Sequence, residues 1–173
     1  ADAVFFPDAQ LNFAENLLKG KDKQIAAYQA DETGVTAKIT YHDLRTQVAK
    51  AQYGLKQLGV KKGDRVAGIT TNNIEGLVAL LAVTSLGAVW TSCSPDFGAK
   101  GIIDRIGQVQ PKVLIANLKY QYKQKPFDIS DKVQETIRQI ASINYVITIA
   151  GELPNTITWS SLLDNDAEKP QFE

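Results

Sequence analysis

The sequence predicts an α/β fold: a parallel sheet with flanking helices, built from flavodoxin-like or Rossmann-like βαβ units and preceded by a short helix and a strand pair. Two observations predict it. From Arg65 onward, short β-branched stretches alternate with helical stretches of apolar spacing. Strands separated by helices cannot pair as hairpins, so they form parallel crossovers with helices covering the sheet.

Residues 11–19 read as a short helix, with Leu11, Ala14, Leu17 and Leu18 on one face and Gly20 as its stop. Residues 24–30 and 37–41 flank the turn Asp31-Glu32-Thr33-Gly34 and read as two short strands. Thr40 caps the next helix, with Asp43 answering three residues on. Leu44, Val48, Ala51, Leu55 and Leu58 then recur at helical spacing before Gly59.

Lys61-Lys62-Gly63-Asp64 is a turn into a strand at 65–70, after which Asn72-Asn73 open an apolar helix at 74–86, closed by Gly87. The same order recurs with a strand at 88–92 before a helix at 99–109, and a strand at 112–116 before a helix at 130–140. A last strand covers 145–149, so four strands alternate with three helices.

At 173 residues the chain suits one domain with a substantial core. That domain is expected over residues 1–163, and the polar tail 164–173 reads as a linker to further polypeptide. The chain begins at Ala1 and holds no Met, so a start residue was removed or the chain was cut from something longer. Hydrophobic residues at 44% and charged residues at 22% match a soluble globular protein. Nineteen basic against nineteen acidic side chains remove the footprint of a nucleic-acid binder. No apolar run reaches the roughly 18 residues of a membrane span, and residues 1–10 lack the features of an export signal. One cysteine, Cys93, excludes a disulfide framework and favours the cytoplasm.

In an open parallel sheet, ligands bind beyond the carboxyl ends of the strands, which selects residues 71–74, 93–98, 117–125 and 150–153. Cys93-Ser94-Pro95-Asp96-Phe97-Gly98 is the most unusual of these turns. Ser94 or Asp96 either caps the following helix, with Pro95 in its first turn, or contacts a ligand. Tyr120-Gln121-Tyr122-Lys123-Gln124-Lys125 interleaves rings with cations, a pattern that suits either an adenine and a phosphate or a solvated loop. Cys93 as a nucleophile would need a base, and the only histidine, His42, falls in a distant helix. One His with one Cys does not make a four-ligand zinc site. No phosphate-loop, dinucleotide, nucleophile-elbow or zincin motif is present. Composition and motifs alone stop at an α/β domain, for which a self-standing nucleotide- or CoA-binding module using the carboxyl edge of its sheet, or an interaction domain, is kept as an alternative reading.

The string Gly87-Ala88-Val89-Trp90-Thr91-Ser92 running into Cys93-Ser94-Pro95-Asp96-Phe97-Gly98, with Asp104-Arg105 and Gln110-Pro111-Lys112-Val113-Leu114, resembles the acetoacetyl-CoA synthetase family. So do Phe6-Pro7, Leu11-Asn12-Phe13-Ala14-Glu15-Asn16, Thr40-Tyr41-His42-Asp43-Leu44 and Gly59-Val60 with Gly63-Asp64-Arg65-Val66-Ala67. Within the wider adenylate-forming acyl-CoA synthetases, the resemblance implies activation of a short acid, here acetoacetate, with magnesium-bound ATP to an acyl-adenylate and pyrophosphate, followed by transfer to CoA with release of AMP. It also implies that the phosphate loop, the acidic segment near magnesium and the mobile catalytic lysine come later in the chain. This chain alone is then expected to be inactive, to hold no catalytic or metal-binding residue, and to bind neither CoA nor ATP tightly. By position, the resemblance assigns Ser94, Pro95 and Asp96 to the CoA channel, and Lys123 and Lys125 to the CoA phosphate. Related acetyl-CoA synthetases carry Phe-Gly-Gly where this chain has Ser94-Pro95-Asp96.

Overall fold

The computed structural model describes residues 7–173; Phe6 of the Phe6-Pro7 pair and the rest of residues 1–6 lie outside the described residues. A short helix α1 (Phe13–Leu17) precedes an antiparallel pair, β1 (Ile25–Asp31) and β2 (Gly34–Thr40), and the long helix α2 (Tyr41–Gln57). Strand β3 (Arg65–Ile69), helix α3 (Ile74–Ser85), strand β4 (Val89–Cys93) and helix α4 (Ala99–Val109) follow. Strand β5 (Val113–Asn117) leads to a small hairpin, β6 (Lys119–Tyr122) and β7 (Lys125–Asp128), and then to helix α5 (Ser130–Gln139). Strands β8 (Tyr145–Ile149) and β9 (Ile157–Thr158) and the single turn α6 (Trp159–Leu162) close the chain.

Five parallel strands stand in the order β4-β3-β5-β8-β9. Counted from β3, this is the order 2-1-3-4-5 of flavodoxin-like sheets, which decides between the two layouts expected. Its switch point lies where β3 meets β5. Strand β9, two residues long, has no counterpart in the sequence reading because so short a stretch shows no alternation. The segment Tyr120 to Lys125 forms most of the β6–β7 hairpin, where a loop was one of the two expectations.

The helix starts follow local chemistry. Thr40 Oγ1 accepts from Asp43 N–H at 3.1 Å and donates to Asp43 Oδ2 at 2.7 Å, closing the expected cap of α2. Asn73 Oδ1 accepts from Gly76 N–H at 3.0 Å at the start of α3. The sheet then sorts its side chains by the period of two. Val66, Val113, Ile115, Ile147 and Ile149 join a core with α2 and α3, while Ala67, Ile69, Leu114, Ala116 and Val146 join another with α4 and α5. Each fully buried Leu, Ile or Val contributes about 1.5–3 kcal/mol, so burial on both faces explains the nearly unbroken apolar strands.

Residues 164–173 carry no helix or strand and run back along α2 and α3. Buried Gln52 accepts from Gln171 N–H at 2.9 Å and donates to Ser85 Oγ at 2.7 Å, while Glu173 N–H donates to Ser85 O at 3.0 Å. Asn12 Nδ2 reaches Ser85 O at 3.1 Å and Glu173 O at 3.0 Å, so the segment before α1 and the end of the chain meet over α3.

Candidate functional site

Beyond the carboxyl ends of β3 and β4 lies a cleft of about 570 Å³. Thr70, Thr71 and Asn72 after β3 and residues 92–96 around the end of β4 form its base. One wall is the β1–β2 turn with Asp31 and Glu32, and the other is the β6 strand with Tyr120 and Tyr122. The β1–β2 pair is held at this edge by Gln29, whose Oε1 accepts from Ile74 N–H at 3.0 Å. On the β5 side of the switch point, Asn73 Nδ2 donates to Asn117 Oδ1 at 3.4 Å.

The turn after β4 does not cap its helix. Gly98 occupies the N-cap of α4, and no side chain bonds there. Ser94 Oγ instead accepts from Asp96 N–H at 3.3 Å and donates to Asp96 Oδ2 at 3.1 Å, folding the turn on itself. Both carboxylate oxygens of Asp96 are engaged away from the helix start, Oδ2 by Ser94 and Oδ1 by Tyr120. Asp96 Oδ1 faces across the cleft and accepts from Tyr120 Oη at 2.8 Å. Burial first, then this hydrogen bond and the Asp96 charge, push the Tyr120 phenol up to about 12. From beneath, Lys132 Nζ on α5 donates to Pro95 O at 3.0 Å and Phe97 O at 3.2 Å.

Cys93 is buried at the base, and burial pushes its thiol up while Arg105 pulls against that. It is a packing thiol rather than an activated nucleophile. His42 lies exposed on α2. The Asp31 carboxyl is held below its usual value by the Thr33 hydroxyl at 2.6 Å and the Thr33 N–H at 2.7 Å. Carboxylates from Asp31, Glu32 and Asp96 line the cleft, and its described lining holds no Lys or Arg.

Lys123 and Lys125 are exposed on the β6–β7 hairpin and stand apart from the lining that Ser94, Pro95 and Asp96 share. The Lys123 backbone N–H donates to Glu32 Oε1, joining the two walls, while its ammonium lies 5.3 Å from the Tyr122 ring centroid. The structure thus brings three of the five expected residues into one cleft and leaves the two lysines outside its lining.

A family model described as AMP-binding enzyme matches residues 13–171. The chain belongs to the AMP-binding enzyme family. It is 40% identical to the acetoacetyl-coenzyme A synthetase of Rhizobium meliloti (strain 1021) over 151 residues, covering 87% of this chain and 23% of that protein. It is 39% identical to the acetoacetyl-CoA synthetase of Rattus norvegicus over 183 residues, covering 98% of this chain and 27% of the relative. A malonamoyl-CoA synthetase of Penicillium aethiopicum is 37% identical over 98% of this chain and 26% of its own length. The solved acetoacetyl-CoA synthetase from Streptomyces lividans superposes with a TM-score of 0.91 at 40% identity, covering 98% of this chain and 27% of that one. The chain therefore spans about a quarter of the length of the relatives it matches.

For this AMP-binding family member, two features of the site escaped the sequence reading. Asp31 and Glu32 show only turn chemistry in the sequence, because nothing local says which strand end a turn will overhang. Lys132 carried a signal that could have found it: a cation in the first turn of a helix opposes the helix dipole and so calls for another partner. No helix among the described residues is long and apolar enough to cross a membrane.

Proposed function

We propose that this AMP-binding family chain is part of an acid:CoA ligase that makes acetoacetyl-CoA. In that reaction an acetoacetate oxygen attacks the α-phosphorus of magnesium-bound ATP and pyrophosphate leaves. The CoA thiol then attacks the acyl carbon, gives up its proton, and AMP leaves. The observation that carries the reading is the likeness to a solved acetoacetyl-CoA synthetase at a TM-score of 0.91 and 40% identity over nearly the whole chain. The malonamoyl-CoA relative supports a substrate class one step broader, a short acid with a second carbonyl at the 3-position.

Within that enzyme the chain supplies scaffold and one wall of the CoA entrance. Ser94, Pro95 and Asp96 border the uncharged pantetheine arm, and Lys123 and Lys125 on the outer hairpin meet the CoA phosphates. The charge pattern supports this division, since a cleft lined by three carboxylates repels phosphate but accepts a neutral amide chain. Catalysis requires polypeptide beyond these residues, so the isolated chain is inactive, and the setting is a cytoplasm that supplies ATP and CoA.

The test is AMP release by the full polypeptide carrying this segment, with ATP, CoA and one of acetoacetate, malonamate, acetate or butyrate. Preference for the first two acids supports the reading. Equal turnover of acetate and butyrate removes the substrate assignment, and acid-independent AMP release removes the ligase.

A further inference from the structure

We propose that Lys132 is a positioning residue for CoA. Its ammonium holds the carbonyls of Pro95 and Phe97, and so sets the shape of the turn along which the thiol arm enters. This rests on the reading that residues 94–96 border CoA.

The hydrogen bonds run 3.0 Å to Pro95 O and 3.2 Å to Phe97 O from one half-buried nitrogen. Pro95 has no N–H to offer, so the turn is short of donors that could fix it from within. The Phe97 N–H to Ser94 O contact is long, at 3.4 Å. Two carbonyls aimed at one ammonium are therefore the firmest restraint on the underside of the turn. The facing side is restrained by Tyr120 Oη on Asp96 at 2.8 Å, so the turn sits clamped between α5 and β6.

The location of the lysine argues for a specific use. It occupies the first turn of α5, where a positive charge meets the positive end of the helix dipole and weakens the helix. Among the described ion pairs none includes Lys132, so its charge serves the two carbonyls and not a carboxylate. A neutral side chain would favour the helix and release the turn. In the ligase, the consequence falls on the second half-reaction, because the first needs no CoA.

The experiment uses the full polypeptide with Lys132→Met, Lys132→Gln and Lys132→Arg, beside Asp96→Ala in the turn itself. Two rates are read for each: acetoacetate-dependent exchange of pyrophosphate into ATP, and CoA-dependent release of AMP as a function of CoA. The Met and Gln variants are expected to raise KM for CoA roughly tenfold while exchange stays near the unsubstituted rate, with Arg restoring most of the loss. Preserved exchange also certifies folding, and if Met fails that standard the Gln variant decides. Unchanged KM for CoA in the Lys132 variants, with a raised KM in Asp96→Ala, overturns the positioning role and leaves the CoA reading standing. Unchanged KM in both overturns the CoA reading itself. Equal loss of exchange and of CoA-dependent release means that Lys132 acts on folding alone, which also overturns the proposal.

Discussion

Tyr120 Oη donates to Asp96 Oδ1 at 2.8 Å, tying the first strand of the β6–β7 hairpin to the turn that follows β4. Both residues line the cleft. The bond uses the Asp96 carboxylate, which does not cap α4, to link the base of the cleft to its β6 wall.

That link has a spectroscopic signature. Tyr120 is pushed up to about 12, so the stability tied to its protonated form is fully present below the ordinary value near 10 and is lost as pH rises through about 12. Ultraviolet titration of the folded chain is expected to show one late tyrosine, brought to lower pH by Asp96→Asn. A late component that ignores this substitution refutes the coupling. Tyr120→Phe is expected to cost about 0.5–1.5 kcal/mol in a denaturant melt.

Acid stability depends on a second pair. Burial pushes the Asp64 carboxyl up, but the hydrogen bond from Lys112 at 3.0 Å, the Lys61 N–H and the charges of Lys112 and Arg65 outweigh it and hold the group below its usual 3.8. A depressed folded value stabilises above 3.8, and the contribution disappears as pH falls through the folded value. Lys112→Met should cost about 1–2 kcal/mol at neutral pH, after discounting for the partial exposure of both groups. Its melting temperature should also fall less between pH 5 and pH 3 than that of the parent; parallel acid limbs would contradict the assignment.

Two glycines should respond with opposite signs. A Cβ on Gly54 of α2 would sit 2.6 Å from Leu162 Cδ1 and 2.7 Å from the Leu162 carbonyl oxygen, and a backbone atom cannot swing aside. Gly54→Ala is expected to destabilise by roughly 1–3 kcal/mol despite the better helix former. On α4, a Cβ on Gly101 meets nothing nearer than 3.5 Å, so Gly101→Ala should stabilise by about 0.5–1 kcal/mol. A raised urea midpoint in Gly54→Ala would show that the α2–α6 contact is looser than described, and a lowered one in Gly101→Ala that α4 has no room for the methyl group.

Cys93 should react as a buried thiol. With burial raising its pKa and little of its surface exposed, disulfide-exchange reagents are expected to label it at the rate at which the chain opens, accelerating in denaturant. Labelling at the rate of a free thiol in native buffer would place it outside the core.

Much of the fold was readable because its signals are local. Thr40 and Asp43 cap α2 within its first turn, Asn73 caps α3, and Gly87 follows α3 in the left-handed conformation at φ 64°. The β6–β7 hairpin was not readable, since Lys123 and Gln124 take φ of 51° and 57° at its tip without the glycine or asparagine that announces such a turn. The site was legible only in part. The strand ends could be named as ligand positions, and residues 94–96 do line the cleft.

Residue order alone established the α/β alternation, because periodicity, caps and stops each lie within a few neighbouring residues, and it carried the family resemblance through contiguous strings such as residues 87–98. Packing decided the rest. The strand order around β3, the side of the sheet on which each turn overhangs, the clasp between Asp96 and Tyr120 and the reach of Lys132 to Pro95 join residues 24 to 37 positions apart. Partners at such separations leave no periodic trace in the chain and meet only when the sheet, closed on both faces, brings its strand ends to one edge.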